Sequence, residues 1–426
     1  MTKLGSFSRG VSIIGVGCTP FKSTKDEPEI SGVCQQDMFS YACLSAMENG
    51  NVQPRDVQFF YHGAAQPYLI GDSITPNMEF AEWLGMRGKA SAHHSEACCT
   101  GYVGLEEAAL AVASGAYDMV LTGAVDMSDT LPVSNAPSHI RREFTMDEMI
   151  PALDKIYENA YSRQLLGPAG FIWDEWMGEY ARENGLSDDQ VDEVMNAIAY
   201  HSRRAAVAHP LAYHTQSYDE MAAEVGLGSG MEFLGSMFNP KMSATLRVSG
   251  IETKCDGAAA CIVCPTEIAK QYVEHPVEIL AVGASCLDAA NPQHEKRATE
   301  EAVRQAYEVS GLTPDDIDIF YSNDFLLNSQ LLSAEAAGYL PKGEGWKYFL
   351  DGRCAFDGDK PVNTNGGRCH FGHAHGASGL ADVYEAVRQL QGIAGPTQVK
   401  GKPKTAMLRG FGGSQNVRAI ILRVAE

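Results

Sequence analysis

Positive charge is scarce in this chain. Of 426 residues, 33 are Lys or Arg against 54 Asp or Glu, a formal net charge of −21. A surface of that sign does not neutralise phosphates, which excludes general nucleic-acid binding and docking on anionic lipid. Long apolar runs are missing too. No stretch approaches the roughly 18–20 residues that span a bilayer. The opening MTKLGSFSRGVSIIGVG has neither an apolar segment of signal-peptide length nor a small-residue cleavage pattern. A cytoplasmic protein with no nucleic-acid or membrane partner is the expectation. Cysteine is sparse, at 11 residues, and the odd number fits no complete disulfide framework. Cys261 and Cys264 form a Cys-x-x-Cys pair, but no second pair stands at zinc-finger spacing and AAACIVCP reads as a buried strand. Reduced core thiols follow. Disorder is excluded by a hydrophobic content of 45% with 20% charged residues.

What is present is an internal repeat. Ala46–Tyr61 (AMENGNVQPRDVQFFY) matches Ala306–Tyr321 (AYEVSGLTPDDIDIFY) without a gap, at an offset of 260 positions. Each copy reads as a helix, a turn carrying Pro and Asp, and a buried strand. Each follows a strand ending in glycine, VSIIGVG and VEILAVGAS. A Gly-rich turn then leads into a helix, CCTGYVGLEEAALAVASG and GASGLADVYEAVRQLQG, and a strand closes each copy, YDMVLTGAVD and TAMLRGFGG. Alternating strands and helices imply an α/β protein with mostly parallel sheets covered on both faces. Two matching halves imply two such sheets packed about a pseudo-twofold axis. The boundaries predicted are 1–126 plus 250–276 for the first half and 277–426 for the second. Between them, 127–249 is an insertion rich in Met and aromatics, with helical runs at Asp174–Asn184 and Asp188–Ala208, read as a lid or interface layer.

Chemistry gathers at two helix starts. In Ser95-Glu96-Ala97-Cys98-Cys99-Thr100-Gly101 a strand ends near His93 and a helix begins at the cysteines. Backbone N–H groups and the positive helix end there lower a thiol's pKa toward thiolate. The bland alternative is two small residues packed in a tight turn. In the second half, NTNGGRCHFGHAHGASG surrounds His373 and His375 with glycine, which permits close backbone approach and positive φ. Three readings are open for it. Cys369, His370, His373 and His375 form a metal site; the histidines are core or capping residues; or His373 is a base facing the cysteine, in nucleophile-plus-base logic.

These motifs together resemble the thiolase superfamily, in the style of the sterol-carrier-protein-type thiolases and their bacterial and archaeal relatives. The likeness spans nearly the whole chain. It rests on Gly372–Gly379, on the Cys-x-Thr-Gly turn before ALAVASGAYDMVLTGAVDMSD, and on His201–Ala205 and Asp256–Ala260. It implies a five-layered αβαβα fold and a homodimer formed by sheet pairing. Cys98 then resembles the acyl-accepting nucleophile, and His373 the base that activates it and later polarises the thioester oxygen. Asn323 resembles the asparagine that holds a water in one oxyanion hole. The N–H groups of Cys98 and Gly412 resemble the second hole, such donors being worth about 3–4 kcal/mol each. One departure is plain. The second cysteine that serves thiolases as acid/base is absent, its two usual positions being Gly410 and Phe325. His375 is the best substitute, with Cys369, His370 and Cys99 as others.

The reaction implied is thiolytic cleavage of a 3-oxoacyl-CoA through an acyl-Cys98, with CoA as co-substrate and no bound cofactor. The alternatives are a condensing enzyme of the ketoacyl-synthase kind and a non-catalytic metal-binding subunit. A retro-aldolase relative is opposed by the retained Cys98. Arg203, Arg204 and Ser249 are the candidate contacts to CoA, with Arg141-Arg142 as a further basic pair. CoA is polyanionic and this chain is acidic, so the resemblance also implies a basic partner, the small zinc-ribbon/OB-fold protein that works with thiolases of this subclass. The Met and aromatic residues of 127–177 suggest a bulky or aromatic acyl group, of the benzoylsuccinyl-CoA type among others.

Overall fold

The computed structural model describes residues 7–65, 76–129, 173–286, 294–413 and 416–425. The Arg141-Arg142 pair and most of the aromatic-rich 127–177 stretch lie outside them. The first half runs β1 (Val11–Cys18), α1 (Gln35–Asn49), β2 (Phe59–Gly63), α2 (Pro76–Trp83), β3 (Ala90–His94), α3 (Thr100–Ala113) and β4 (Val120–Met127). A helix covers 173–183, followed by α4 (Asp188–Ala208) and β5 (Asp256–Pro265). The second half comprises β6 (Val277–Cys286), α5 (His294–Ser310), β7 (Ile319–Ser322), α6 (Ser378–Gln391), β8 (Thr405–Gly412) and β9 (Asn416–Val424). α4 starts on a capping box, Ser187 Oγ accepting from Gln190 N and Gln190 Oε1 from Ser187 N.

The strand order is β3-β2-β4-β5-β1-β6-β9-β8-β7. Reading outward from the centre, β1-β5-β4-β2 is answered by β6-β9-β8-β7, so the repeat found in the sequence is a repeat in space. The register shifts recur as well, at Ile13/Gly15 in β1 and Ile279/Ala281 in β6. One expectation needs correction. The two halves are not separate sheets, because Ser12 and Ile13 of β1 pair antiparallel with Glu278 and Val277 of β6. Two strands left at the centre of the molecule would expose unpaired backbone groups, and this short pairing satisfies some of them.

The layers follow from strand alternation. On β5, Ala259, Cys261 and Val263 face one core while Ala258, Ala260, Ile262 and Cys264 face another. Cys261 and Cys264 therefore point to opposite faces, and both are free thiols, as the sequence suggested. β9 alternates likewise, Ile420 and Leu422 inward, Ala419 and Ile421 outward. A sheet buried on both faces needs helices on both. α1 covers the outer face of the first half and α5 that of the second, while α3 and α6 pack together between the halves. The result is the five-layered αβαβα fold. The two central helices cross where a side chain on Gly101 would meet Leu380 N at 2.6 Å and one on Gly379 would meet Tyr102 N at 3.0 Å. That close crossing brings the two chemistry-bearing helix starts together.

Candidate active site

Cys98 stands on the elbow between β3 and α3. Ala97 takes φ 48°, a left-handed conformation that an alanine adopts only under constraint. The constraint is visible. Thr100 Oγ1 accepts from Glu96 N at 2.8 Å and donates to Ala97 O at 2.7 Å, while Cys99 N donates to Glu96 O at 2.9 Å. The opposing start, before α6, carries His373, fully buried, after Gly372 at φ 123°. His373 N donates to Thr253 O at 2.7 Å, and its Nδ1 lies 2.9 Å from Ser378 Oγ. That leaves Nε2 facing Cys98 Sγ at 3.2 Å. With Nδ1–H donating to Ser378, Nε2 is the nitrogen able to take the thiol proton.

Burial favours the neutral forms of both partners, opposite in direction to the thiolate expectation. Burial pushes the Cys98 thiol far above its usual range, and the Glu252 carboxylate adds to the effect. Burial, followed by the neighbouring His375, holds His373 well below the usual histidine range. Cys98 remains partly exposed, whereas Cys99 is buried.

The other predicted residues fall in several places. Asn323 is buried, its N accepted by Arg409 O, its Nδ2 donating to Phe411 O at 2.6 Å and its Oδ1 accepting from Phe325 N at 3.3 Å. Gly412 abuts the elbow, since a side chain on it would strike Glu96 O and come within 2.7 Å of Cys99 Cβ. His375 joins the cluster, its ring 4.8 Å from that of His373 and its Nδ1 3.0 Å from Ser128 Oγ. Cys369 and His370 turn away, Cys369 Sγ donating to Asp324 O and His370 Nε2 meeting Tyr218 Oη at 2.9 Å. The four-residue metal set is therefore not assembled.

The basic candidates already have partners. Arg203 is 6% exposed, stacked 4.7 Å from the Tyr218 ring and donating to Met221 Sδ, so its guanidinium has no open face for a CoA phosphate. Arg204 pairs with Asp357 at 3.2 Å. Ser249 is tied by both its N and Oγ to Asn239, each at 2.9 Å, three residues before Glu252.

Glu252 was not anticipated. Its Oε2 is 3.4 Å from His373 Nε2 and its Oε1 is 3.9 Å from His375 Nε2. Among the described residues, Glu252, His373 and His375 are close enough to share one cation. His373 Nε2 already faces the thiol, however, and the arrangement handles protons as it stands. Behind it, Arg368 donates to Asp382 at 2.6 Å, its N donates to Asp324 at 2.7 Å, and Tyr102 donates to Asp382. This buried network ties α3 to α6. Burial raises Asp324 to about 7, against the pull of Arg368.

Comparison with known proteins agrees with this geometry. Residues 285–423 match the family model for the thiolase C-terminal domain-like region. The acetyl-CoA acetyltransferase of Methanothermobacter thermautotrophicus is 29% identical over 97% of this chain and 98% of its own. The benzoylsuccinyl-CoA thiolase subunit BbsB of Thauera aromatica is 25% identical over 96% of each. Sterol carrier protein 2 of Homo sapiens is 28% identical over 95% of this chain and 70% of its own. The solved Ltp2-ChsH2(DUF35) aldolase shares the fold, with a TM-score of 0.73 at 19% identity over 97% of both chains. With a duplicated αβαβα body and a cysteine facing a histidine across its two central helix starts, the chain is similar to thiolase-superfamily proteins over nearly its whole length, in the style of the sterol-carrier-protein type.

Proposed function

We propose that the protein cleaves a 3-oxoacyl-CoA with CoA, carrying the acyl group on Cys98. The observation that supports this reading most is the 3.2 Å contact between Cys98 Sγ and His373 Nε2. As the sulfur attacks the 3-oxo carbon its proton passes to His373, and the imidazolium so formed lies beside the Glu252 carboxylate, 3.4 Å away. The buried pair then separates charge only when the substrate supplies an oxyanion to balance it. Donors for that oxyanion are the N–H groups at Cys98 and Gly412, and a water held by Asn323 with His373. CoA then takes the acyl group from Cys98, and the thiolate recovers its proton from His373.

Several finer parts belong to the same proposal. The acyl group is bulky or aromatic. Phe325, partly exposed, packs 5.8 Å from Phe411 and 6.3 Å from Trp173, both buried, next to Asn323. A relationship to BbsB points the same way. The 127–249 stretch serves as the loop domain over the site. The protein works in the cytoplasm as a homodimer paired through β3, an edge of the sheet among the described strands. It is assisted in CoA binding by a small basic partner, as the net charge of −21 and the DUF35 partner of the aldolase neighbour suggest.

Thiolysis of acetoacetyl-CoA and of 3-oxo-3-phenylpropionyl-CoA, assayed beside malonyl-dependent condensation, tests the reading. Thiolysis that is lost in Cys98→Ser is expected; condensation without thiolysis would contradict it. Purification from the native source as a fully active homodimer alone would remove the partner.

A further inference from the structure

We propose that Glu252, backed by His375, is the acid/base that the absent second cysteine would otherwise provide. This rests on the thiolase reading above and names the group that serves the substrate's Cα.

The two places where the resemblance expects a second cysteine are closed in this chain for structural reasons. A side chain at Gly410 would run into the Tyr102 ring. Phe325 occupies the other place, packed on Phe411. Glu252 arrives beside that second place by a different route. Its backbone N donates to Phe325 O at 2.8 Å, and the next residue, Thr253, accepts from His373 N at 2.7 Å. The segment Ile251–Cys255 is thus pinned between the Asn323 loop and the His373 loop, Ile251 bridging to Leu326 and Lys254 to His373. From that position the carboxylate reaches into the cluster. One oxygen is 3.4 Å from His373 Nε2, the nitrogen that also faces Cys98, and the other is 3.9 Å from His375 Nε2. His375 is held from behind by Ser128 Oγ at 3.0 Å. The side chain of Glu252 is 18% exposed, so substrate can reach it. Ser128, His375, Glu252, His373 and Cys98 thus lie in one row of close contacts, each polar atom within 3.9 Å of the next.

The proton accounting closes. In cleavage Cys98 gives its proton to His373 as it adds to the 3-oxo carbon. The Cα–Cβ bond breaks and its electron pair stays on Cα as the enolate of acetyl-CoA. The Glu252 carboxylate takes the proton from the His373 imidazolium, delivers it to Cα and returns to carboxylate. The incoming CoA thiol then gives its proton to His373 as its sulfur attacks acyl-Cys98, and the released Cys98 thiolate takes that proton from His373. In the reverse direction the Glu252 carboxylate removes the Cα proton. His375 orients the carboxylate and is a positioning residue.

The test separates the two half-reactions, using acetyl-CoA as the probe. Acetylation of Cys98 is followed by intact mass, and exchange of the acetyl-CoA methyl protons in D2O by NMR. For Glu252→Gln the expectation is Cys98 acetylation within about tenfold of wild type and methyl exchange slowed about 100-fold or more. Glu252→Asp should recover part of the exchange, and His375→Asn should lower exchange more than acetylation. Wild-type exchange in Glu252→Gln, with acetylation intact, would overturn the proposal. Equal loss of both would also overturn it, making Glu252 a partner of the Cys98–His373 pair alone. Failure of the wild-type enzyme to acetylate Cys98 would instead sink the thiolase reading, and this proposal with it.

Discussion

The two halves present the same scaffold and opposite chemistry. α3 and α6 begin alike, Thr100-Gly101 against Ser378-Gly379, and in each a hydroxyl on the first residue fixes the preceding loop. Thr100 Oγ1 takes Glu96 N, and Ser378 Oγ meets His373 Nδ1. The first half uses that anchor to hold a strained elbow and offer a thiol. The second uses it to fix one imidazole nitrogen so that the other faces the thiol. Duplication thus supplied two equivalent helix starts aimed at one point, one carrying a cysteine and the other a histidine 3.2 Å from it. In the proposed reaction they divide the work as nucleophile and base.

Removing the chemistry of one side should have the largest effect. Cys98→Ser should lower thiolysis by about four orders of magnitude or more, and His373→Asn by about 10²–10⁴-fold, with unchanged melting temperatures. If His373→Asn costs less than tenfold, the division of labour is wrong. The scaffold half of the comparison is sharpened by the crossing glycines. Gly101→Ala and Gly379→Ala should each destabilise the fold by about 1–3 kcal/mol in denaturant unfolding, since both put a methyl group into the opposing backbone or ring. Strongly unequal losses would show that the two starts do not share the contact evenly.

The ionisation state gives a subtler test. Because burial raises Cys98 and lowers His373, the site is expected to rest at neutral pH as thiol and neutral imidazole. Alkylation of Cys98 by iodoacetamide should be slow near neutrality and keep rising above the ordinary thiol pKa of about 8.5. A plateau below neutral pH would reveal a preformed thiolate–imidazolium pair. The smallest effect concerns the adjacent arginines of α4. Arg204→Ala, at a half-exposed ion pair, should change stability by about 1 kcal/mol or less. Arg203→Ala should cost more stability while leaving the KM for CoA within about twofold, because its guanidinium is packed on Tyr218. A large rise in that KM would restore Arg203 to the CoA site.

Much of this was legible in the residues. The ungapped match of Ala46–Tyr61 with Ala306–Tyr321 marks a duplication because both copies must bury the same helix-turn-strand surface. Cys98 and His373 were legible because glycine and small residues crowd around reactive ones only where backbones approach closely. The pairing of β1 with β6 was not, since two short strand edges carry no pattern naming their partner. Arg203 and Arg204 look alike in the sequence, and only packing shows that Tyr218 and Met221 cover one of the two. Glu252 was hidden for the opposite reason. It sits in the plain run Ser-Gly-Ile-Glu-Thr-Lys-Cys, and its meaning comes entirely from the loops that clasp it, Phe325 on one side and His373 on the other.

The account stands most directly on which atom carries the acyl group. Enzyme mixed with a 3-oxoacyl-CoA in the absence of free CoA, quenched in acid and mapped by peptide mass spectrometry, should show one acyl group as a thioester on Cys98. The adduct should be missing in Cys98→Ser and discharged in wild type by added CoA. An adduct on Cys99 or Cys369, or turnover with no covalent acyl-enzyme at all, would contradict it.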